Sequence, residues 1–371
     1  VANTVSLTTG TQKNQTYVSV GAVNARGIIQ NNDLDRYNFS VRNTTSMLND
    51  KLTMDLSFMY SNVKEQNMLS QGEYANPLVP VYLFPRGDDF SKYQYYERYD
   101  VDRNIKTQFW PLKENGLSMQ NPYWITNRNM YTNKKDRFLA SGSLKYTITD
   151  WLNVSGRVKL DKETINSEKK MYASTLNVIA ENSDKGAYVQ SNKNTSQIYA
   201  DAMLNINKYF YHDTWNLTAS LGASLLDLDY KELNFGGGLL TIPNLFTSNN
   251  ANVSGKLTYK NTNYHDRTNS LFGTFSLGYK GMVYVDGSLR NDWISALAGT
   301  NHSSILYPSI GASAILTNMF TMKSNILSYA KVRLSYSEVG NAPERFRAIT
   351  TYAVLGGLNT TSYFPIKDLK P

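Results

Sequence analysis

The chain has no cysteine among its 371 residues. This absence excludes a disulfide scaffold, a cysteine-ligated zinc site and a cysteine nucleophile. Histidine is scarce too, since His212, His265 and His302 stand apart in predicted turns and loops. No metalloprotease His pair, serine-hydrolase elbow or phosphate-binding glycine motif occurs. We therefore expect no enzyme activity, no catalytic residues, no metal site and no cofactor.

Long runs of one residue class are missing as well. No stretch reaches the roughly 18 apolar residues that a transmembrane helix needs. The net charge is +8, yet Lys and Arg are scattered rather than clustered, so nucleic acid is not an expected partner. A basic balance of this kind favours a diffuse anionic surface, such as one coated with lipopolysaccharide.

What the sequence does contain is alternation of apolar and polar residues with a period of two. The cleanest example sets Trp215, Leu217, Leu221 and Leu225 against Asn216, Thr218 and Ser220. Strict alternation is typical of a half-buried strand. Several such runs approach ten residues, which fits tilted membrane strands of about 9–11 better than soluble strands of about 5–6. The apolar set is expected to face lipid and the polar set to face inward.

The connections between strands sort into two kinds. About twelve strands are predicted, at 4–9, 16–24, 34–46, 51–62, 137–149, 151–161, 196–209, 214–227, 268–279, 282–291, 305–317 and 328–338. Tight reversals at Asn49-Asp50, Thr149-Asp150, His212-Asp213 and Lys280-Gly281 alternate with long connections at 63–136, 162–195, 228–267, 292–304 and from 339 onward. In an up-and-down sheet the long connections then share one rim, as in bacterial outer-membrane barrels. The sequence therefore predicts an all-β, up-and-down antiparallel transmembrane β-barrel, seen here as one continuous sheet in nearest-neighbour order.

The connection 63–136 combines several prolines with many aromatic residues. Prolines reduce the entropy lost when a loop becomes ordered, and aromatic rings can stack on sugar faces. We expect this loop to fold over the mouth of the barrel. The candidates for substrate contact are Tyr93, Tyr95, Tyr96, Trp110, Tyr123 and Trp124. The alternative is that these rings pack the loop onto itself or onto other strands.

Five basic residues lie on the polar stripes of the strands, namely Arg157, Lys159, Arg290, Lys331 and Arg333. A basic side chain facing lipid at the bilayer midplane would cost about 2–4 kcal/mol. These residues are therefore expected to face the lumen, where they would pair with carboxylates of a plug.

Several segments, which keep the family's order over essentially the whole chain, resemble the SusC/RagA family of TonB-linked outer-membrane transporters of Bacteroidetes. They are Tyr17–Gly21, Gly27–Ile29, Arg36-Tyr37, Asn121–Trp124, Asp136–Phe138, Leu289–Trp293, Tyr307–Ser313, Lys331–Tyr336 and Val339–Asn341. The resemblance implies a barrel of about 22 strands closed by an N-terminal plug. It also implies a SusD-like surface lipoprotein as partner, energy from a TonB complex, and glycans or peptides as cargo.

About twelve strands are too few for such a barrel. We therefore interpret residues 1–371 as one segment of an outer-membrane barrel domain, with plug and TonB box outside this chain and with unpaired first and last strands. Two alternatives remain: a passive porin-like channel, and a secreted β-rich adhesin or glycan-binding module that would be soluble without detergent.

Overall fold

A computed structural model describes residues 1–68, 74–111, 120–252, 259–320, 327–347, 352–354 and 358–360. The strands, in chain order, are β1 Ala2–Gly10, β2 Asn14–Arg26, β3 Asp33–Met47, β4 Leu52–Gln66, β5 Glu97–Asp100, β6 Ile105–Gln108, β7 Asn129–Thr149, β8 Leu152–Tyr172, β9 Gly186–Phe210, β10 Trp215–Gly238, β11 Tyr259–Tyr279, β12 Val283–Ile294, β13 Ser304–Ile315, β14 Lys331–Ser337, β15 Tyr352–Val354 and β16 Leu358–Thr360. The helices are α1 Leu78–Leu83, α2 Pro122–Arg128 and α3 Leu316–Met319, with short 3₁₀ turns at Phe90–Gln94, Ser248–Asn250 and Ser295–Leu297.

Twelve of these strands form one antiparallel sheet. Its order is β1-β2-β3-β4-β7-β8-β9-β10-β11-β12-β13-β14, so each strand pairs with the next one of the sheet along the chain. This confirms the predicted single sheet in nearest-neighbour order. The hairpins β5–β6 and β15–β16 are separate two-stranded sheets. No helix in the described ranges is long and apolar enough to cross a membrane.

The predicted tight reversals are present. Asn49, His212 and Gly281 have φ values of 54°, 53° and 65°. Left-handed backbone of this kind is accessible to Gly and tolerated by Asn and a few other residues. These turns fix the register of the flanking strands along one rim of the sheet.

Several strands are longer than predicted, and the connections that follow them are correspondingly shorter. β8 runs to Tyr172 and β9 begins at Gly186, so most of the predicted loop 162–195 is strand. Likewise β10 and β11 absorb much of 228–267. The prediction failed because residues 162–170, apart from Ile165, are polar on both faces, which removes the alternation while the backbone ladder continues. The 21 residues of β8 extend about 70 Å, far beyond an apolar band of about 25 Å.

One face of the sheet is apolar across all twelve strands. Cross-strand pairing places Leu221 opposite Leu204, and Val158 opposite Ala200. One exposed apolar residue of each strand marks this face, in order Val5, Val20, Phe39, Leu56, Leu144, Val158, Leu204, Leu221, Leu271, Leu289, Ile310 and Leu334. Leu221 is 58% exposed, because the described part of the chain leaves this face uncovered. We call it the apolar face. Trp215, Leu217 and Leu225 lie on it as well, half-buried among neighbours, and Asn216, Thr218 and Ser220 lie on the opposite face.

Aromatic rings border this face on the side of the tight turns. Trp215 lies between Phe210 and Tyr279, at ring-centroid distances of 6.4 and 4.7 Å. Tyr60 and Trp293 stand at the other border and are exposed. Trp and Tyr at both limits of an apolar band are typical of membrane barrels, since their rings bridge hydrocarbon and headgroups.

In the part of the chain that the structure describes, the sheet does not close on itself. Within the described ranges β1 pairs with β2 alone, and β14 pairs with β13 alone. The prediction of two open edges is confirmed, and the structure is a partial barrel.

Candidate functional site

Most of the buried apolar residues lie at the rim opposite the tight turns. This rim is covered by residues 74–111 and 120–128 between β4 and β7, together with 173–185 and 239–252, and we call this assembly the cap. The predicted loop 63–136 is therefore a folded unit with α1, α2 and the β5–β6 hairpin. The buried apolar residues of the cap and of the strand ends beneath it are Tyr93, Trp110, Trp124, Ile125, Met171, Ala173, Leu176, Ala180, Ala187, Tyr188, Leu239 and Ala251.

Asn121 joins three segments of the cap. Its side-chain oxygen accepts a hydrogen bond of 2.8 Å from the Tyr123 backbone N–H, which caps the N-terminus of α2. Pro122 follows, and proline is favoured in the first helical turn. The Asn121 amide donates to the backbone carbonyls of Tyr93 and Phe109, at 2.7 and 2.9 Å. Because this side chain is fully buried, water cannot reach its polar atoms, and these protein bonds satisfy them instead.

A second polar network ties this segment to the 173–185 connection. The Gln108 backbone N–H donates to the Ser174 hydroxyl oxygen at 2.9 Å, and the Gln108 side-chain amide donates to the Ser174 carbonyl at 2.6 Å. The Trp124 indole N–H donates to the Thr175 hydroxyl at 3.0 Å. Buried hydrogen-bond networks of this kind favour one arrangement of the loops over alternatives.

The six predicted substrate-contact residues fall into two groups. Trp124 is 1% exposed, and Tyr93 and Trp110 are also buried, with their rings 5.3 Å apart. Tyr96 and Tyr123 are half-buried, whereas Tyr95 is 82% exposed. For these three rings, packing inside the cap corresponds to the alternative stated in the sequence analysis, in which the rings pack the loop onto itself. The role of all six in substrate contact stays a prediction, and in this conformation Tyr95 is the most accessible of them.

The cap is attached to the strand ends by asparagines. Asn31 and Asn67 both donate to the Thr126 carbonyl, at 3.0 and 3.1 Å. Both have left-handed backbone, with φ values of 62° and 48°. Their side chains thus satisfy a carbonyl of α2 that has no partner within the helix.

An ion pair stabilises the same region. Glu97 of β5 accepts hydrogen bonds from Lys106 and Arg128 at 2.7 and 2.8 Å. Burial raises the pKa of the Glu97 carboxyl, but the hydrogen bonds from Lys106 and Arg128 outweigh it and hold the pKa below its ordinary value. The Arg128 guanidinium also lies 4.8 Å from the ring centroid of Tyr172, which links α2 to the end of β8.

The five predicted lumen-facing residues lie on the polar face, opposite the apolar face. Arg157 pairs with Asp201 at 2.7 Å and Arg290 with Asp292 at 2.7 Å, so both have a carboxylate partner within the wall. Within the described ranges no carboxylate lies within 4 Å of Lys159, Lys331 or Arg333. Pairing of these residues with a plug stays a prediction, and the three without a wall partner are its better candidates.

No protein-family model and no curated protein matches the sequence. Solved structures do match. A chain of the RagAB peptide transporter superposes with a TM-score of 0.72 at 17% identity, covering 99% of this chain and 40% of that one. The "open-open" state of the RagAB importer gives a TM-score of 0.69 at 17% identity over 100% of this chain and 40% of that chain. The chain has the fold of part of the β-barrel of these RagAB chains.

Receptors of lower identity share this barrel fold. The closed form of the ferric-catecholate import receptor Fiu from E. coli K12 has a TM-score of 0.52 at 10% identity, over 90% of this chain and 47% of that chain. At these identities the likeness concerns the fold. The chain spans less than half the length of these transporters.

Sequence reasoning did not find the polar residues that hold the cap together. Gln108, Ser174 and Asn250 are ordinary loop residues in the sequence, and Asn250 alone makes four hydrogen bonds to the backbone of 241–245. The one available local signal was Asn121-Pro122, an N-cap residue followed by a first-turn proline.

Proposed function

We propose that the chain forms part of the wall and the outer rim of an outer-membrane active transporter. The observation that carries the proposal is the apolar face, which runs uninterrupted over twelve strands and is left exposed. In water such a surface would be far larger than the few hundred Å² that soluble monomers tolerate. In a bilayer it is the expected lipid contact, with lipopolysaccharide adjoining the strands that project beyond it.

The two open edges support a larger barrel. Each unpaired backbone group in hydrocarbon costs several kcal/mol, so β1 and β14 need further strands of the parent protein as partners. In this proposal residues 1–371 are one segment of a barrel of about 22 strands. The plug and the TonB box belong to other parts of the protein, and an inner-membrane TonB complex supplies the energy.

An exposed apolar patch on the cap supports a lipoprotein partner. In α1 and its surroundings Val81, Tyr82 and Leu83 are exposed, and Tyr82 reaches 85%. Apolar residues clustered on a polar outer rim are typical of a protein contact surface. A SusD-like lipoprotein seated on this patch would cover the cap and the mouth of the barrel together.

The proposed cargo is an oligosaccharide or a peptide. The aromatic content of the cap suits sugar stacking, whereas the RagAB neighbour is a peptide transporter. Tyr95 is the cap residue that we place in contact with cargo, since its ring is exposed and stands beside the half-buried Tyr96.

Uptake in the parent bacterium tests this proposal. Cells would be given a panel of labelled oligosaccharides and peptides, with and without a functional TonB complex. We expect uptake of one cargo class to require TonB. Uptake that persists without TonB would support the porin-like alternative, and recovery of the protein in the soluble fraction without detergent would support the adhesin.

Tyr95→Ala tests the cargo contact separately. It should reduce uptake at equal surface expression. Tyr211→Ala is the matched control, because Tyr211 is equally exposed but lies in a tight turn at the opposite rim. Equal uptake by both variants would remove Tyr95 from the binding site while leaving the transporter proposal intact.

A further inference from the structure

A cavity of about 430 Å³ lies between the cap and the wall. It is bounded by α2, the ends of β7 and β8, and the β2–β3 connection. Its walls are mostly apolar, formed by Ile29, Met68, Ala75, Pro77, Ile125, Met130, Met171 and Ile179. Small-molecule sites in proteins commonly have volumes of about 300–1,000 Å³ and walls of this character.

Among the described residues, Lys169 is the one charged residue that lines this cavity. It is twelve residues from Arg157 along β8, and the β8–β9 ladder has no register shift between them, so both lie on the polar face. Its neighbour Lys170 lies on the other face, where Glu168 pairs with it at 2.8 Å. Within the described ranges no carboxylate comes within 4 Å of the Lys169 ammonium. Burial lowers the pKa of Lys169, and the Glu181 carboxylate offsets this in part.

Asn129 supplies a second donor that lacks an acceptor. Its Nδ2 is buried and, in the described part of the chain, has no hydrogen-bond partner. The orientation of this amide is fixed by its neighbours. The Trp124 indole can only donate, so the Thr175 hydroxyl accepts from it and must donate its own proton to Asn129 Oδ1, at 2.7 Å. The amide N–H₂ group is therefore the free end of Asn129.

The frame of the cavity is formed before any ligand binds. Asn31 and Asn67 hold the end of α2 against the wall, and the Asn67 side-chain oxygen accepts from the Tyr131 backbone N–H at 2.8 Å. A site with such fixed walls loses little conformational freedom on binding. An apolar cavity with two unsatisfied donors and a positive charge is complementary to an apolar group that carries a negatively charged acceptor.

We propose that this cavity binds a carboxylate attached to an apolar group, with the carboxylate oxygens accepting from Lys169 Nζ and Asn129 Nδ2. The ligand we assign is the apolar C-terminal residue of a peptide. A fatty acid shares the same chemistry and is distinguished by the experiment. Assigning this ligand to the cargo rests on the proposed function, but the site itself does not.

Binding to the purified full-length protein in lipid nanodiscs tests the site without requiring uptake. The probes for calorimetric titration are Gly-Gly-Leu, its C-terminal amide, and octanoate. We expect the free acid to bind at least tenfold more tightly than the amide. Lys169→Met should weaken binding of the acid at least tenfold, about 1.4 kcal/mol, and leave the amide unchanged. Lys170→Met is the matched control, because that adjacent lysine faces away from the cavity.

Ala75→Phe fills the cavity and keeps Lys169, so it tests the site even if Lys169→Met fails to fold. It should weaken binding of acid and amide alike. Equal binding of acid and amide, unchanged binding in either cavity variant, or no binding of any probe would overturn the proposal. Binding of octanoate without the peptide would keep the carboxylate site and refute the peptide assignment. Failure of uptake together with intact binding would concern the proposed function alone.

Discussion

Moving one charge between the two faces of β8 tests the assignment of the lipid-facing surface. Val158 is 55% exposed on the apolar face, and Lys159 follows it on the polar face. Val158 is six residues beyond Leu152, about 20 Å along the strand. At a tilt of about 40–45° this is roughly 15 Å along the bilayer normal, near the middle of an apolar band of about 25 Å. Val158→Lys should therefore cost about 2–4 kcal/mol.

The assay is urea unfolding of the natural protein refolded into phosphatidylcholine vesicles, followed by tryptophan fluorescence. Lys159→Val is the matched control, and because it removes a charge from a wet surface it should change stability by less than about 1 kcal/mol. The double swap, Val158→Lys with Lys159→Val, keeps the composition and should lose nearly as much as Val158→Lys alone. A loss below about 1 kcal/mol for Val158→Lys, or an equal loss for Lys159→Val, would refute the assignment of the faces.

Three further predictions concern the cap and its supports. Trp124→Phe removes the indole donor from the buried Thr175 hydroxyl and should destabilise the cap by about 1–3 kcal/mol, visible as faster protease cleavage of the cap. The pKa of Glu97 is lowered in the folded cap, so its pairing with Arg128 stabilises the cap at pH values above the ordinary pKa of 4.5. This stabilisation is lost as the pH falls through the lowered pKa. Glu97→Gln should abolish that part of the pH dependence of hydrogen exchange in α2. Gly236 has a φ of 131°, and an added Cβ would lie 2.0 Å from a backbone oxygen. Gly236→Ala should therefore strain the β9–β10 hairpin by about 1–3 kcal/mol. Faster protease cleavage at 239–252 would report this strain.

The wall could be predicted from the sequence because its two determinants are local. Side-chain alternation follows directly from the pleat, and the tight turns use residues that tolerate left-handed backbone. The predicted strand 214–227 and the observed β10, Trp215–Gly238, begin within one residue of each other at the turn. The predicted and observed end points differ, because water on both faces of the far end removes the hydrophobic pattern but not the backbone pairing.

The cap could not be predicted in the same way. α1 and α2 have six and seven residues, too few to show helical periodicity, and their stability comes from tertiary contacts. Asn121 and Trp124 were assigned to the right loop, but the sequence contains no sign that one holds segments together and the other is buried. Such roles depend on contacts between parts of the chain about 50 residues apart, for example between Trp124 and Thr175.

Lys169 shows that strand register decides which face of the sheet a residue lies on, which composition alone does not. In the sequence it belongs to the run Glu168-Lys169-Lys170, which suggests a solvated charged segment. Pairing with β9 separates the run, because Glu168 and Lys170 lie on the same side of the sheet as the apolar face, while Lys169 shares the polar face with Arg157. The cap then covers that face at the level of Lys169 and leaves it open at Arg157, where a wall carboxylate is present instead.

The division between wall and cap follows from the solvents on each side. A single sheet between lipid and water has no dry layer of its own, and β1, β2, β3 and β4 contain no buried residue. Backbone pairing and lipid contact must stabilise such a wall. The cap has water on its outer side and therefore needs a core, which it builds from aromatic rings and from the ends of β8 and β9. Since these strand ends belong to both units, loss of the cap core should loosen the tips of the hairpins before it affects the pairing of the strands within the membrane.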